Sequence, residues 1–307
     1  MPTEPLPRVR PRGPAIRGTL GGMPGRSEDD EGTLVPPASG VWEQMGLTVV
    51  GELNGGHQSR VVLAHRDEEQ LIIKLTDARL VDLQEFETRI GLVRDLAAID
   101  EHAVGPIEIG PSLINHLGRW LAVAYPHVAG PNLDPENRAE VERLARSLAA
   151  LHHSLRRLTT THPLPLVAAL QASGPLADAL TGPIRLLHGD YSPANVLLDG
   201  DRTRVIDFDD CGYGPVEFEL GNTLYMVLFD ATLNNDPHSY ERFRQWFCDS
   251  YTAEAATVLS EVGLDRSIEL RRNALRYWLD HPAEAPIGIR SASPEWRRQL
   301  RTFADSI

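Results

Sequence analysis

Cysteine is scarce in this chain, which has only Cys211 and Cys248. Two thiols are too few for a disulfide framework, and with no Cys-x-x-Cys pair or histidine cluster there is no zinc signature. Both are expected to be ordinary buried thiols. No apolar run approaches the roughly 18 residues of a membrane span. The N-terminus carries arginines but no apolar stretch ahead of a small-residue cleavage site. A soluble, cytoplasmic chain without a membrane partner is the expectation. There is no internal repeat. Lysine is the scarcest functional residue of all: among 30 basic residues Lys74 is the only one.

With 307 residues, 42% of them hydrophobic, the chain is long for one compact core and suits two lobes and a tail. Its net charge of −13 is uneven. Residues 1 to 26 hold five arginines against Glu4, which leaves 25 basic and 42 acidic residues, about −17, on the rest. Such a body excludes nucleic acid as a partner and attracts cations.

Residues 1–38 are rich in Pro, Gly and Arg and lack periodicity, so they read as a disordered tail. Short β-type runs follow: Leu47 to Leu53, Val61 to Ala64 and Leu71 to Leu75, which together predict a small antiparallel sheet. The spacing of Phe86, Ile90, Val93 and Ala97 predicts a helix over 83–99, and Trp120 to Tyr125 reads as a strand ended by Pro126. Beyond a linker near Gly130-Pro131 the chain turns mainly helical, with Glu140 to Leu155 the clearest amphipathic stretch. A hairpin interrupts the helices, Val196 to Leu198 and Val205-Ile206 flanking Asp199-Gly200-Asp201. Helices resume near Glu217. The division expected is a tail over 1–38, a nucleotide-binding lobe over 39–127 and a catalytic, substrate-binding lobe over 128–307.

The chemistry concentrates between His188 and Asp210. Asp190 and Asn195 are separated by a loop that Pro193 stiffens, and the hairpin returns Asp207 towards them. Any one of these residues alone would be an ordinary turn former. Together, with His188 two positions ahead of Asp190, they match what phosphoryl transfer requires: Asp190 as the base that accepts a hydroxyl proton, Asn195 and Asp207 as metal ligands. An all-oxygen set of two carboxylates and an amide suits Mg²⁺.

The sheet supplies the other half of a nucleotide site. Asn54-Gly55-Gly56-His57-Gln58-Ser59 joins two strands, and Gly55, Gly56 and Ser59 would let backbone N–H groups approach phosphates. It is no Walker A loop, since no Gly-Lys-Ser/Thr follows. Lys74, ending Leu71-Ile72-Ile73, offers a compact ammonium that a wide guanidinium replaces poorly between phosphates. Glu85 and Glu87 on the following helix are the candidate anions to hold it, Glu87 being preferred because Ile90 and Val93 would turn its face to the sheet.

Taken together, these residues resemble the aminoglycoside phosphotransferase and choline kinase family, relatives of the protein kinases. The likeness covers roughly residues 47 to 229. His188, Gly189, Asp190 and Asn195 match the family's His-Gly-Asp-x-x-x-x-Asn, and Ile206-Asp207-Phe208 its Ile-Asp-Phe strand end. Leu148 to His152 resembles the helix before that loop, which makes His152 and His188 packing residues. The resemblance implies an α+β, protein-kinase-like fold with a small antiparallel N-lobe and a mainly helical C-lobe, and ATP and Mg²⁺ as cofactors. It also places the adenine-binding hinge at Tyr125 to Val128, with the Pro126 C=O and Val128 N–H as contacts.

Two positions depart from the pattern. Asp209-Asp210 stands where related kinases have glycine, and Asp209 is expected either to ligate a second metal or to bond nearby backbone. Glu219 replaces an Asp, which puts its buried support contact in doubt. Gly189, Ser192 and only 12 positions between Asp207 and Glu219 leave no room for the activation loop of a eukaryotic-type protein kinase.

The acceptor should bind among the later helices. Between Asp209 and Asp265 eleven acidic residues face Arg242 and Arg244, which fits either a cationic substrate or solvated helix faces. Glu217, Asp230 and Asp236 are the first candidates to contact it. Trp246, Tyr251 and Trp278 would stack on a ligand or fill core. The expected function is phosphorylation of a hydroxyl on a small cationic molecule such as an aminoglycoside or other basic antibiotic. The alternatives are a kinase acting on Ser or Thr of a peptide, as in peptide natural-product maturation, and a nucleotide-binding pseudokinase.

Overall fold

The computed structural model describes residues 39–53, 59–174, 182–290 and 292–306. The tail expected over 1–38 and the loop glycines Gly55 and Gly56 lie outside them.

A short helix α1 (Ser39–Gln44) leads into a five-stranded antiparallel sheet made of β1 (Thr48–Leu53), β2 (Ser59–Arg66), β3 (Glu69–Asp77), β4 (Asn115–Leu117) and β5 (Trp120–Pro126), in the order β1-β2-β3-β5-β4. Strand alternation decides where Lys74 goes. Leu71, Ile73 and Leu75 point into a core with Trp42, Val62, Trp120 and Ala122, so Ile72 and Lys74 must point to the opposite face. On that face Lys74 lies between Val61 of β2 and Val123 of β5.

Helix α2 (Leu83–Ala97) starts at Asp82, whose side chain accepts the Glu85 N–H at 2.9 Å. Its Leu92, Val93 and Leu96 pack into the core of the helical lobe rather than that of the sheet. The helical lobe is built from α3 (Arg138–Leu155) against α6 (Pro237–Ala255), and α5 (Val216–Leu233) against α7 (Glu261–Asp280) and α9 (Pro294–Asp305); α4 (Ala168–Ala172) and α8 (Ile287–Arg290) are short. Both cysteines are unpaired, Cys211 buried and Cys248 half-buried. Among the described residues no helix is long and apolar enough to cross a membrane.

Two small ribbons carry the loops of interest. One pairs β6 (Ile184–Leu187) with β9 (Gly212–Pro215); the other is the hairpin of β7 (Val196–Asp199) and β8 (Arg202–Val205). The hairpin is clasped from both sides. Leu198 N–H donates to Pro131 C=O at 2.9 Å, and Val104 N–H to Val205 C=O at 2.9 Å. Gly130 lies so close that a Cβ there would come within 1.7 Å of the Leu198 oxygen.

Candidate active site

Strand β6 ends at Leu187 and delivers His188, Gly189 and Asp190 into the interior. Gly189 adopts φ +88°, and a Cβ on it would lie 2.1 Å from the Asp210 carbonyl oxygen, so only glycine fits here. Glu219, in the first turn of α5, accepts the His188 N–H at 3.2 Å and the Gly189 N–H at 2.6 Å. The contact that looked doubtful for a residue longer than Asp is therefore made. His152 Nε2 lies 2.8 Å from the same carboxylate, and its Nδ1 2.8 Å from the Tyr251 hydroxyl. Burial pushes the Glu219 carboxyl up, but the His152 hydrogen bond, the proximity of His152 and His188 and the Gly189 N–H together hold it below the usual carboxylate range.

His188 is a packing and hydrogen-bonding residue. Its Nδ1 accepts the Asp190 N–H at 3.3 Å and its Nε2 faces the Ile206 carbonyl at 3.0 Å, which assigns the proton to Nε2. Asp190 is buried. Asn195, at the end of a one-turn 3₁₀ segment begun by Pro193, donates through Nδ2 to the Asp190 carbonyl at 2.9 Å and to Asp190 Oδ2 at 3.1 Å. Asp190 Oδ1 has no protein partner. Burial, reinforced by Asp210 and Asp207 and opposed by Arg271 and Asn222, pushes this carboxyl up to about 8.

The hairpin brings Asp207 back to Asn195 through an Ile206 N–H to Asn195 C=O bond of 3.0 Å. Asp207 is left-handed, at φ +68°. Lys74 Nζ reaches across from the sheet, 2.9 Å from Asp207 Oδ1 and 2.7 Å from Asp209 Oδ2. Burial works against the ammonium, but the two carboxylates raise its pKa. The two acids sharing Lys74 are shifted in opposite directions. Burial lifts both, yet Lys74 brings Asp207 below its ordinary value while Asp209, beside the Asp207 charge, stays above it.

Lys74, Tyr125, Pro126, Val128, Asn195 and Asp207 line one cleft of about 420 Å³ between the sheet and the helices. In the β3–β5 ladder Leu71 sits opposite Pro126, and the His127 N–H donates to Gln70 C=O at 3.0 Å. Strand alternation then turns the Pro126 C=O and Val128 N–H away from β3. Ser59 is buried opposite Thr76 and is not part of the cleft lining.

Glu87 does not hold Lys74. At 100° per residue it lies opposite the buried face of α2 formed by Thr88, Ile90, Leu92, Val93 and Leu96, and it is exposed. Glu85 shares the buried side, where it pairs with Arg89 at 3.3 Å. Arg89 in turn donates through Nε to the Cys211 carbonyl at 2.9 Å. The partner of Lys74 that sequence reasoning missed is Asp209, whose turn conformation leaves no periodic signal.

A second cavity of about 300 Å³ adjoins Asp209 and Asp210, and Arg89, Trp278, Glu284 and Arg290 also line it. Glu217, Asp230 and Asp236 line neither cavity. Asp236 caps α6 through the Ser239 N–H, and Asp230 is a largely buried acid on α5 that burial pushes up to about 7. Tyr251 is core, and Trp246 packs half-buried against it.

The model of a phosphotransferase enzyme family matches residues 156–258, a span that includes the Asp190 loop, Asp207 and Glu219. Stress response kinase A of Shigella flexneri is 24% identical over 260 residues, covering 73% of this chain and 75% of its own. Methylthioribose kinase of Geobacillus thermodenitrificans is 33% identical over 84 residues, 27% of this chain and 21% of its own. Among solved structures, amicoumacin kinase hAmiN in complex with AMP-PNP, Ca²⁺ and Ami superposes with a TM-score of 0.65 at 16% identity, over 84% of this chain and 86% of its own. A microcompartment-associated aminopropanol kinase gives 0.62 at 18% identity, over 84% and 89%. The resemblance to the aminoglycoside phosphotransferase family, the kinase-like two-lobed fold and the reading as a phosphotransferase enzyme all stand.

Proposed function

We propose that this phosphotransferase moves the γ-phosphate of Mg-ATP to a hydroxyl of a small cationic molecule. The observation that carries the reading is the meeting of Lys74 from the sheet with Asn195 and Asp207 from the helical lobe in one cleft, with Asp190 bonded to Asn195 beside it.

The Pro126 C=O and Val128 N–H present an acceptor and a donor to the adenine edge, and Lys74 neutralises phosphate oxygens. Mg²⁺ fits the donors present. Asn195 uses Nδ2 on Asp190, which leaves its carbonyl oxygen for a cation, and Asp207 gives only Oδ1 to Lys74. When bound there, the ion would neutralise charge on the transferring phosphoryl group. Asp190 accepts the acceptor's hydroxyl proton on its unpartnered Oδ1. The hydroxyl oxygen bonds to the γ-phosphorus, and the bond from that phosphorus to the bridging oxygen breaks as ADP leaves with the electron pair.

A cationic acceptor is supported by Asp209, Asp210 and Glu284 around the second cavity, set against Arg89 and Arg290, and by the negative body of the chain. The aminopropanol kinase among the structural neighbours is itself named for an amino alcohol.

A screen of ATP consumption over basic antibiotics, amino alcohols and peptides, with mass detection of an added phosphate, tests this reading. One phosphate on a cationic hydroxyl compound is the expected result. Phosphate found only on peptides would replace the acceptor class, and no transfer to any compound would remove the reading.

A further inference from the structure

The second cavity and the Lys74 cleft have Tyr125 as a common wall. Its polar end lies where a phosphate acceptor must sit. Asp209 there holds Lys74 Nζ at 2.7 Å, and the Asp210 carbonyl packs against Gly189, the residue before Asp190. The rest of the wall is largely apolar, with Phe86 and Ile90 of α2, Phe208 and Trp278 in it. A volume of about 300 Å³ suits a small molecule.

Among the described residues five charged side chains line this cavity, and three of them are already bonded within the protein. Asp209 takes Lys74, Arg89 pairs with Glu85 at 3.3 Å and donates to the Cys211 carbonyl at 2.9 Å, and Glu284 accepts the Tyr277 hydroxyl. Asp210 and Arg290 are left, neither side chain having a hydrogen bond or ion pair. Asp210 is half-buried and Arg290 exposed, so the open negative charge sits deeper than the open positive one. A partly desolvated carboxylate without a partner favours an incoming ammonium. A polycation would find one open carboxylate here and an arginine in the same cavity. A molecule with one ammonium and one carboxylate matches both charges.

We propose that the acceptor is a small zwitterion with an apolar body, a hydroxy amino acid or a close derivative of one. Its ammonium meets Asp210, its carboxylate meets Arg290, and its body lies against Phe86, Ile90 and Trp278. This rests on the phosphotransferase reading and adds an anionic group to the ammonium-bearing acceptor proposed there.

The probes are phenylserine, its methyl ester, which lacks the carboxylate charge, and N-acetylphenylserine, which lacks the ammonium, with serine and kanamycin beside them. Phosphate transfer to each is followed by mass. Phenylserine should exceed the ester and the N-acetyl form in kcat/KM by about 10- to 100-fold each, the effect of losing one charge-assisted contact. Arg290→Met should bring the ratio of phenylserine to its ester near one, and Asp210→Asn should do the same to the ratio of phenylserine to its N-acetyl form. Each reading is a ratio within one variant, so a general loss of activity cancels. If Asp210→Asn does not fold, Arg290→Met, at an exposed position, decides alone. An ester, serine or kanamycin that performs as well as phenylserine overturns the proposal, as does a ratio that survives Arg290→Met. No transfer to phenylserine while ATP is still consumed, with water or another acceptor, overturns the zwitterion and spares the phosphotransferase reading. A chain that consumes no ATP with water or any acceptor overturns both.

Discussion

Lys74 and Asp207 stand 133 positions apart in the chain, yet Nζ and Oδ1 are 2.9 Å apart across the cleft. The contact joins the buried face opposite the sheet core to the end of the β7–β8 hairpin, so it exists only when both lobes are in place. Replacing Lys74 by Met should lower kcat/KM for ATP on the order of 10²-fold, the usual effect of losing one electrostatic contact in a phosphate site. Glu87→Ala, on the solvent face of α2, should leave it within about twofold. Steady-state kinetics on both variants checks the assignment, and a large Glu87 effect would reverse it.

Asp190→Asn keeps the shape of the side chain and the Asn195 neighbourhood but removes the carboxylate proposed to accept the proton. Turnover should fall by about 10²- to 10⁴-fold. Mg-ATP affinity, measured by titration calorimetry, should remain near wild type.

Gly189 and Gly200 both have positive φ, +88° and +60°, but only Gly189 faces a backbone oxygen, 2.1 Å from a would-be Cβ; nothing lies within 4 Å at Gly200. Gly200→Ala should cost about 1 kcal/mol, the ordinary left-handed penalty. Gly189→Ala should exceed that by about 2 kcal/mol or more, because a carbonyl cannot give way as a side chain can. Chemical denaturation compares the two directly.

Glu219 gives stability a defined dependence on acid. Its folded carboxyl lies below its unfolded value near 4.3, so the stabilisation is fully present above about 4.3 and is lost as pH falls through the folded value. Glu219→Gln should be less stable at neutral pH and show a shallower loss below about pH 4. Unfolding midpoints from pH 7 down to 3 read this out; identical slopes would remove the role.

Where periodicity speaks, the sequence was sufficient. Alternation along β3 separates Lys74 from Leu71, Ile73 and Leu75, and the hairpin turn at Asp199 to Asp201 predicts the return of Asp207. Periodicity misapplied fails: Glu87 was placed from its neighbours Ile90 and Val93, whereas the whole buried set of α2, Thr88 and Leu92 included, puts it outside. Contacts between distant helices leave no local trace. Asn222 and Arg271 lie 49 positions apart and look like ordinary polar residues until α5 packs on α7. Asp209 meets Lys74 only after Asp207 turns left-handed.

The clasp on the hairpin has a mechanical consequence. Residues 131 to 133 are zipped to β7 and residues 102 to 104 to β8, so Asn195 and Asp207 ride with the helical half whatever the sheet does. On the hinge side, only His127 to Gly130 is left between β5 and that anchor. Those four residues tie the end of β5 closely to the floor that Asn195 and Asp207 share.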